Sequence, residues 1–194
     1  MDGAEGALVE VEAHESFDVE QGKTKVCGLP DAAVREGALR MRIAAHPFVG
    51  EEVFKLAGGV LVSLAPADLK KSGRTLDLAL AMAYAGLVLG VDRGRLRSFL
   101  FLGEASLDGE VRPTGGALAA VLAAKRRGLS VVLAEKDLAE AALAEGPALF
   151  PVRRVIDAFD VACGRVEPST VPRGASAARA FATKARGAPD LAEV

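Results

Sequence analysis

The sequence predicts an α/β (α+β) fold with a mixed sheet and packed helices. Short apolar runs of strand length alternate along the chain with longer segments of helical character. Of the 194 residues, 51% are hydrophobic, which suffices for one buried core and hardly for two. We therefore expect one domain over residues 1–164, followed by a tail over residues 165–194.

The amino-terminal part predicts two strands and a helix. Apolar and polar residues alternate over residues 7–14, which is typical of a half-buried strand, and a second short strand ends at Val26-Cys27. The turn Gly28-Leu29-Pro30-Asp31 follows. Because proline pre-sets the backbone angle of a first helical position, we expect a helix over residues 30–45. Its predicted apolar face includes Ala33, Val34, Leu39 and Ile43.

The middle of the chain predicts a buried strand and a buried helix. Residues 60–64 form an apolar run after Gly58-Gly59, and a polar loop follows that contains Pro66, Asp68, Lys70 and Lys71. Thr75 is the expected N-cap of a helix over residues 76–89, which is apolar on nearly every face and so belongs inside a domain. This helix is too short to span a membrane.

The remaining elements continue the alternation of strands and helices. Asp108-Gly109 is expected to form a hairpin turn, and Gly115-Gly116 to open a helix that reaches about Arg127. Strands are predicted at residues 99–102, 130–134 and 148–152, and helices at residues 137–145 and 155–163. Beyond Gly164 large apolar residues are few, which predicts a disordered tail.

Composition excludes several classes of function. A net charge of −2 and a pI of about 5.8 do not favour direct nucleic-acid binding. Cys27 and Cys163 lie far apart, and His14 and His46 are the only histidines, so reduced thiols and neither a metal site nor a cofactor are expected. The first residues are acidic, unlike a secretion signal, which predicts a cytoplasmic protein with no membrane partner.

Three segments resemble the ComM/YifB magnesium-chelatase-like family. They are Gly28-Leu29-Pro30-Asp31-Ala32-Ala33-Val34-Arg35-Glu36, Leu64-Ala65-Pro66-Ala67-Asp68-Leu69-Lys70-Lys71 and Phe101-Leu102-Gly103-Glu104. The third continues through Gly115-Gly116 in a pattern that also resembles the Lon protease domain. The resemblance implies a ChlI-type, Lon-protease-like domain with the ribosomal-protein-S5-domain-2-like fold.

In whole proteins of that family, the resemblance implies, the domain is fused to an AAA+ ATPase that forms ring hexamers and, in ComM, acts on branched DNA during transformation. An ATPase of this kind needs a phosphate loop of the form G-x-x-x-x-G-K-[ST]. Only Gly22-Lys23-Thr24 is similar, and Phe17 stands where the first glycine belongs. We interpret that fragment as a turn between strands.

Lon-type hydrolysis requires a serine nucleophile and a lysine base within hydrogen-bond reach. Alignment with Lon places Thr75 at the nucleophile position and Leu118 at the base position. Because an alkyl side chain cannot accept a proton, we expect no Lon-type enzyme activity. A rescue would need Lys70, Lys71 or Lys125 to reach Thr75, and loop lysines are mostly solvated.

The leading hypothesis is a non-catalytic accessory domain that contacts an AAA+ partner or itself. The turn 28–31 and the loop 66–73 are the predicted contact surfaces. The candidate interaction residues are Gly28, Leu29, Pro30, Asp31, Arg35, Pro66, Asp68, Lys70, Lys71, Asp77 and Glu104. Glu104 and Asp108 could form a carboxylate pair, and we favour a structural role for both.

Two alternatives stay open. The first is a cryptic peptidase-like hydrolase that depends on Thr75 or a serine. The second is weak association with DNA through the tail, where Arg165, Arg173, Arg179, Lys184 and Arg186 outnumber Glu167, Asp190 and Glu193.

Overall fold

The computed structural model of the chain describes residues 7–170, 173 and 174, with only the backbone of residues 53–55. Helices pack on a mixed three-stranded sheet, a parallel three-stranded sheet and a two-stranded hairpin. This confirms the predicted α+β fold with a mixed sheet and packed helices. No helix in the described part of the chain is long and apolar enough to cross a membrane.

The first sheet comprises β1 (Glu10–Ser16), β2 (Thr24–Cys27) and β3 (Gly59–Ala65). β3 lies between the other two strands, antiparallel to β1 and parallel to β2. Its alternate residues Val60, Val62 and Leu64 are buried, as expected for a strand with one face on the core. Compared with the strand predicted over residues 7–14, β1 begins three residues later and ends two residues later. β1 lies at an edge of the sheet.

Helix α1 (Ala32–Val49) begins after Asp31, whose side chain accepts a hydrogen bond from the Val34 amide. A 3₁₀ helix (Gly50–Lys55) follows it. The predicted apolar face is wrong at Leu39 and Ile43, which are 55% and 56% exposed. The buried stripe consists mainly of small residues, because α1 packs closely against α2: Val34, Gly37, Ala38, Met41, Ala44, Ala45 and Val49.

Helix α2 (Asp77–Leu89) is the buried helix that its composition predicts, and α3 (Arg93–Leu96) follows it. Thr75 is not its N-cap; Leu76 holds that position without a side-chain hydrogen bond. The reason is tertiary, since the Gly103 carbonyl accepts from the Leu78 amide at 3.1 Å and so satisfies part of the first turn. Asp77 is the first residue of the helix, as expected.

The second sheet comprises β4 (Phe99–Leu102), β7 (Ser130–Ala134) and β8 (Leu149–Val152), all parallel with β7 in the centre. Between β4 and β7 lie the hairpin strands β5 (Glu104–Ala105) and β6 (Val111–Arg112) and helix α4 (Ala117–Arg127). A 3₁₀ helix (Glu135–Asp137) and α5 (Leu138–Ala141) precede β8, and α6 (Val155–Ala162) follows it. β4 lies at an edge of this second sheet, as β1 does in the first.

The core consists of two clusters that share β7. Val132 and Ala134 belong to the main cluster, with the first sheet, α1, α2 and α6. Val131 and Leu133 point to the other face and pack with residues of α4 and α5 in the second cluster. A central parallel strand that is buried on both faces explains the unbroken apolar run that predicted it.

Part of the predicted tail is described. Residues 165–170, 173 and 174 contain no helix or strand. Ser169 donates its amide to the Leu149 carbonyl, and the Arg173 guanidinium donates to the carbonyls of Ala144 and Pro147. Residues 171–172 and 175–194 lie outside the described residues, so the tail boundary stays a prediction.

Candidate interaction site

The two segments that we predicted as contact surfaces lie against each other. Pro30 and Lys71 form an isolated parallel β-bridge. The Asp31 amide donates to the Lys71 carbonyl at 2.9 Å, and the Lys71 amide donates to the Leu29 carbonyl at 3.1 Å. Residues 28–31 and 66–73 therefore form one structural unit, which we call the turn–loop junction.

The side chain of Lys71 lies inside the turn–loop junction. Sequence reasoning took it for a solvated loop lysine, and that was wrong: Lys71 is only 2% exposed. Its Nζ donates to the Leu64 carbonyl at 3.3 Å and to the Pro66 carbonyl. A buried ammonium is tolerated because these carbonyl oxygens replace its lost water. The amine thus holds the loop against the end of β3, and its hydrogen bonds to these carbonyls occupy it.

Asp31 holds the turn to the loop from the other side. One carboxylate oxygen accepts from the Val34 amide at 2.8 Å and the other from the Gly73 amide at 3.2 Å. These hydrogen bonds, the one from Val34 foremost, lower the pKa of Asp31. The carboxylate therefore ties the start of α1 to the end of the loop.

Gly28 is required by the close approach of β3. Its φ is +94°, and a Cβ placed there would lie 2.0 Å from the Leu64 carbonyl oxygen. No side chain fits this position without moving the backbone. Leu29 next to it also has a positive φ, of 54°, and its side chain is 55% exposed. A leucine held in that conformation and directed to solvent is an unusual use of an apolar residue.

The surface of the junction is small and mixed in character. Its exposed side chains are those of Leu29, Pro66, Asp68 and Lys70. Arg35 is also exposed, on the first turns of α1. The buried groups of the junction thus hold these side chains in place, and the exposed ones are free to contact another molecule.

A second cluster of charges lies beneath α1. Asp77 is fully buried, and its carboxylate accepts from Arg40 at 3.2 Å and from the Ala105 amide at 3.3 Å. Burial raises the pKa of Asp77, and the positive charge of Arg40 opposes that rise. Sequence reasoning missed Arg40. The sequence did contain a signal for this pair, because Arg40 follows Gly37 by three residues beside the small-residue stripe of α1. Gly37 itself lies directly against the Asp77 carboxylate.

Glu104 and Asp108 do not act as a carboxylate pair. Glu104 forms an ion pair with Arg74 at 2.5 Å. Asp108 accepts from the Ser106 hydroxyl and from the Glu110 amide at 3.3 Å within the β5–β6 turn, and these bonds lower its pKa. Each carboxylate has its own partners, so the site lacks the shared proton of an acid–base pair.

Thr75, the position of the aligned nucleophile, lines a large apolar groove of about 770 Å³. The groove runs between residues 7–11, which lead into the edge strand β1, and the edge strand β4, and residues of α2 and α4 form its floor. We call it the edge-strand groove. Among the residues that the structure describes, its polar side chains are Glu10, Thr75, Arg97 and Arg127, and no lysine or histidine lines it.

Leu118, the position of the aligned base, is not in the edge-strand groove. It packs against the second core cluster, and its amide donates to Glu140 at 3.1 Å. Lys70 is exposed, the Lys71 amine is held by carbonyls, and the Lys125 stem lies beside Gly146. None of the three lysines that could have rescued the dyad lines the groove with Thr75.

The fragment that resembles a phosphate loop forms a turn. Gly22 has a φ of +80°, and the Lys23 amide donates to the Glu20 carbonyl at 2.9 Å. The Lys23 ammonium is paired with Glu20 at 2.5 Å on the surface. This is the turn between β1 and β2 that we expected.

Comparison with known proteins places the chain among longer relatives. The family model described as subunit ChlI of Mg-chelatase matches residues 10–137. An uncharacterized protein of Mycobacterium tuberculosis is 43% identical over 147 residues, which are 74% of this chain and 28% of that protein. Competence protein ComM of Haemophilus influenzae is 31% identical, over 80% of this chain and 30% of its own length. YifB of Salmonella typhimurium is 28% identical, over 85% and 31%. The chain thus spans less than a third of the length of these relatives.

Proposed function

Because the chain belongs to the family of subunit ChlI of Mg-chelatase, we propose that it is a non-catalytic accessory domain that works through protein contacts. Its partner is an AAA+ ATPase or a second copy of itself. The protein acts in the bacterial cytoplasm. The observation that carries the proposal is the turn–loop junction, where buried groups hold an exposed surface whose residues carry the family resemblance.

The construction of the junction supports a role in contact. The hydrogen bonds of Lys71 and Asp31 and the close packing of Gly28 fix the backbone of the junction. These residues are therefore not available for catalysis. What they fix is the position of exposed side chains, above all Leu29. A rigid surface loses little conformational entropy when a partner binds, which favours affinity.

The surroundings of Thr75 support the absence of catalysis. A hydroxyl nucleophile needs a base within hydrogen-bond reach, and in the described part of the chain the groove lining holds no lysine or histidine for that role. The carboxylate of Glu10, which lines the groove, is paired with Arg97 at 3.2 Å. We therefore treat the domain as a pseudoenzyme relative of Lon-like proteases.

The length of the relatives supports an AAA+ partner. Less than a third of each relative aligns with this chain, and the family resemblance assigns an ATPase to the remainder. In this protein the same contact would be made between separate chains or with a further part of a longer protein. A link to competence, which the name of the ComM relative states for that protein, is part of this proposal.

The test is direct binding with variants of the junction surface. Each AAA+ ATPase of the host would be co-purified with the whole chain, and the affinity and ATP hydrolysis of any complex measured. Leu29→Glu should weaken the contact about tenfold or more, because it places a charge at the centre of the surface. Phe17→Glu, at a residue that is 83% exposed far from the junction in sequence, is the matched control.

Sedimentation of the chain alone would test self-association by the same variants. Absence of any ATPase complex together with a monomer at all concentrations would overturn the proposal. Binding to DNA that falls steeply with salt would favour the nucleic-acid alternative instead.

A further inference from the structure

The edge-strand groove has the features of a site for an extended polypeptide strand. One wall is β4, an edge strand that lines the groove along its whole length, and the opposite wall is residues 7–11, of which Glu10 and Val11 belong to the edge strand β1. An edge strand carries a row of backbone N–H and C=O groups without partners in its sheet. The outer edge of β4 is therefore a template for a strand that pairs with it.

The lining of the groove favours a peptide backbone over a small polar ligand. Its floor is formed by small and apolar residues of α2 and α4: Ala79, Met82, Ala83, Ala119, Ala120 and Ala123. Few side chains there can form hydrogen bonds, and Arg97 is already paired with Glu10 and Glu12. The hydrogen-bonding capacity of the site therefore lies in its main-chain edges, and its floor accommodates alternate apolar side chains.

The charges at the rim indicate what the strand carries at one end. Arg127 lines the groove at the last residue of α4, where its side chain is exposed. Among the residues that the structure describes, no carboxylate forms an ion pair with it. A carboxylate on the bound strand near this end would be attracted to Arg127.

We propose that the edge-strand groove binds, by strand addition, an extended segment of a partner protein. The segment has small apolar side chains at alternate positions and an acidic residue at the Arg127 end. β4 is four residues long, so about five residues of the partner would pair. The bound strand would extend the parallel sheet at its β4 edge. The proposal deepens the proposed function by naming a second surface and the form of the partner, and it can fail while the junction contact stands.

The test begins with a random decapeptide library displayed on phage and selected on the whole chain. Binders that also recognise Ala120→Glu are removed, because this substitution places a charge on the groove floor. The expected result is a set of peptides with alternating apolar residues and an acidic residue towards one end. If selection yields no peptide that depends on Ala120, the proposal is overturned.

Variants then test each part of the recognition with the best synthetic peptide. Leu122→Glu lies on the same helix outside the groove lining and should bind within about twofold of wild type, whereas Ala120→Glu should lose about tenfold or more. Arg127→Glu should reverse the preference for an acidic residue, and Arg126→Glu should not. Arg127 is exposed, so this exchange tests the proposal even if Ala120→Glu does not fold.

Hydrogen exchange of backbone amides distinguishes strand addition from other occupants. In the free chain, amides at residues 8–11 and 99–102 that face the groove should exchange faster than those of β3 and β7, and peptide binding should protect them. A peptide with alternate amides N-methylated should lose binding. Protection already present in the free chain would assign the groove to a segment of the chain itself. Protection that grows with protein concentration would assign it to a second copy; either result would overturn the partner strand.

Discussion

The turn–loop junction and the edge-strand groove differ in how their polar groups are satisfied. At the junction an amine, a carboxylate and two backbone segments satisfy one another, and the Lys71 side chain is buried in the process. At the groove the edge strand β4 and the segment that leads into β1 lie on either side of an apolar floor. Gly28, Asp31 and Lys71, which belong to the segments that carry the family resemblance, therefore fix the backbone of the junction, whereas the groove is lined mainly by apolar strand and helix residues.

This difference teaches how to interpret a sequence-specific motif. We predicted the segments at residues 28–31 and 66–73 as contact surfaces because a hydrophobic core alone does not explain their specific sequence. In the structure Gly28, Asp31 and Lys71 each solve a problem of backbone geometry or burial. We expect substitutions of these three residues to affect folding, and substitutions in the groove to affect binding.

The largest effect is expected from Gly28→Ala. The new Cβ would lie 2.0 Å from the Leu64 oxygen at a φ of +94°, so β3 and the turn must separate. We expect a loss of about 3 kcal/mol in the free energy of unfolding, measured with urea. Gly22→Ala is the matched control: its φ is +80° but nothing lies within 4 Å, so about 1 kcal/mol is expected. Equal losses would show that the junction is not closely packed.

Lys71→Met should have the next largest effect. Methionine preserves the length of the side chain and leaves the carbonyls of Leu64 and Pro66 without their donor, which costs about 2 kcal/mol. Lys70→Met removes an exposed charge at the neighbouring position and should change the free energy of unfolding by less than about 0.5 kcal/mol. If the two variants are equally stable, the hydrogen bonds of the buried amine do not stabilise the junction.

A smaller, pH-dependent effect is expected at Asp31. Hydrogen bonds lower its folded pKa below the ordinary value of 3.8, so its stabilising contribution is present above that value and is lost as pH falls through the folded pKa. Asp31→Asn cannot titrate. The stability of wild type relative to Asp31→Asn should therefore decrease between about pH 6 and about pH 2.5. A difference that stays constant over this range would contradict the role of the charge.

The smallest effect is expected from Thr75→Ala in the groove. Thr75 neither caps α2 nor meets a lysine in the groove lining, so its removal should change stability by less than about 0.5 kcal/mol. Peptidase assays should give the same background rate for wild type and variant. Measurable hydrolysis that Thr75→Ala abolishes would establish the cryptic enzyme and remove the contrast between the two regions.

Local patterns predicted the elements but not the contacts that place their ends. The all-apolar helix α2 and the strand β7 were recognisable because burial on every side leaves an unbroken apolar run. Thr75 failed as the N-cap because the Gly103 carbonyl, which is distant in sequence, takes that role for Leu78. Periodicity alone could not reveal this.

The predictions of the apolar face of α1 and of a solvated Lys71 were wrong for a related reason. Hydropathy favours Leu39 and Ile43 for the core, but close packing against α2 and the Asp77 carboxylate needs the small residues of α1. Lys71 looked solvated because its acceptors are main-chain carbonyls, which have no signature in the sequence. The groove was not foreseen, since its edges are defined by strand order.

Strand β7 also determines how the molecule loses its structure. Its residues alternate between the two apolar clusters, so Val131 and Leu133 contact one and Val132 and Ala134 the other. Neither cluster can open fully while the other keeps this strand in place. The two halves of the domain should therefore melt in a single cooperative transition, and the slowest-exchanging amides should be those of β7.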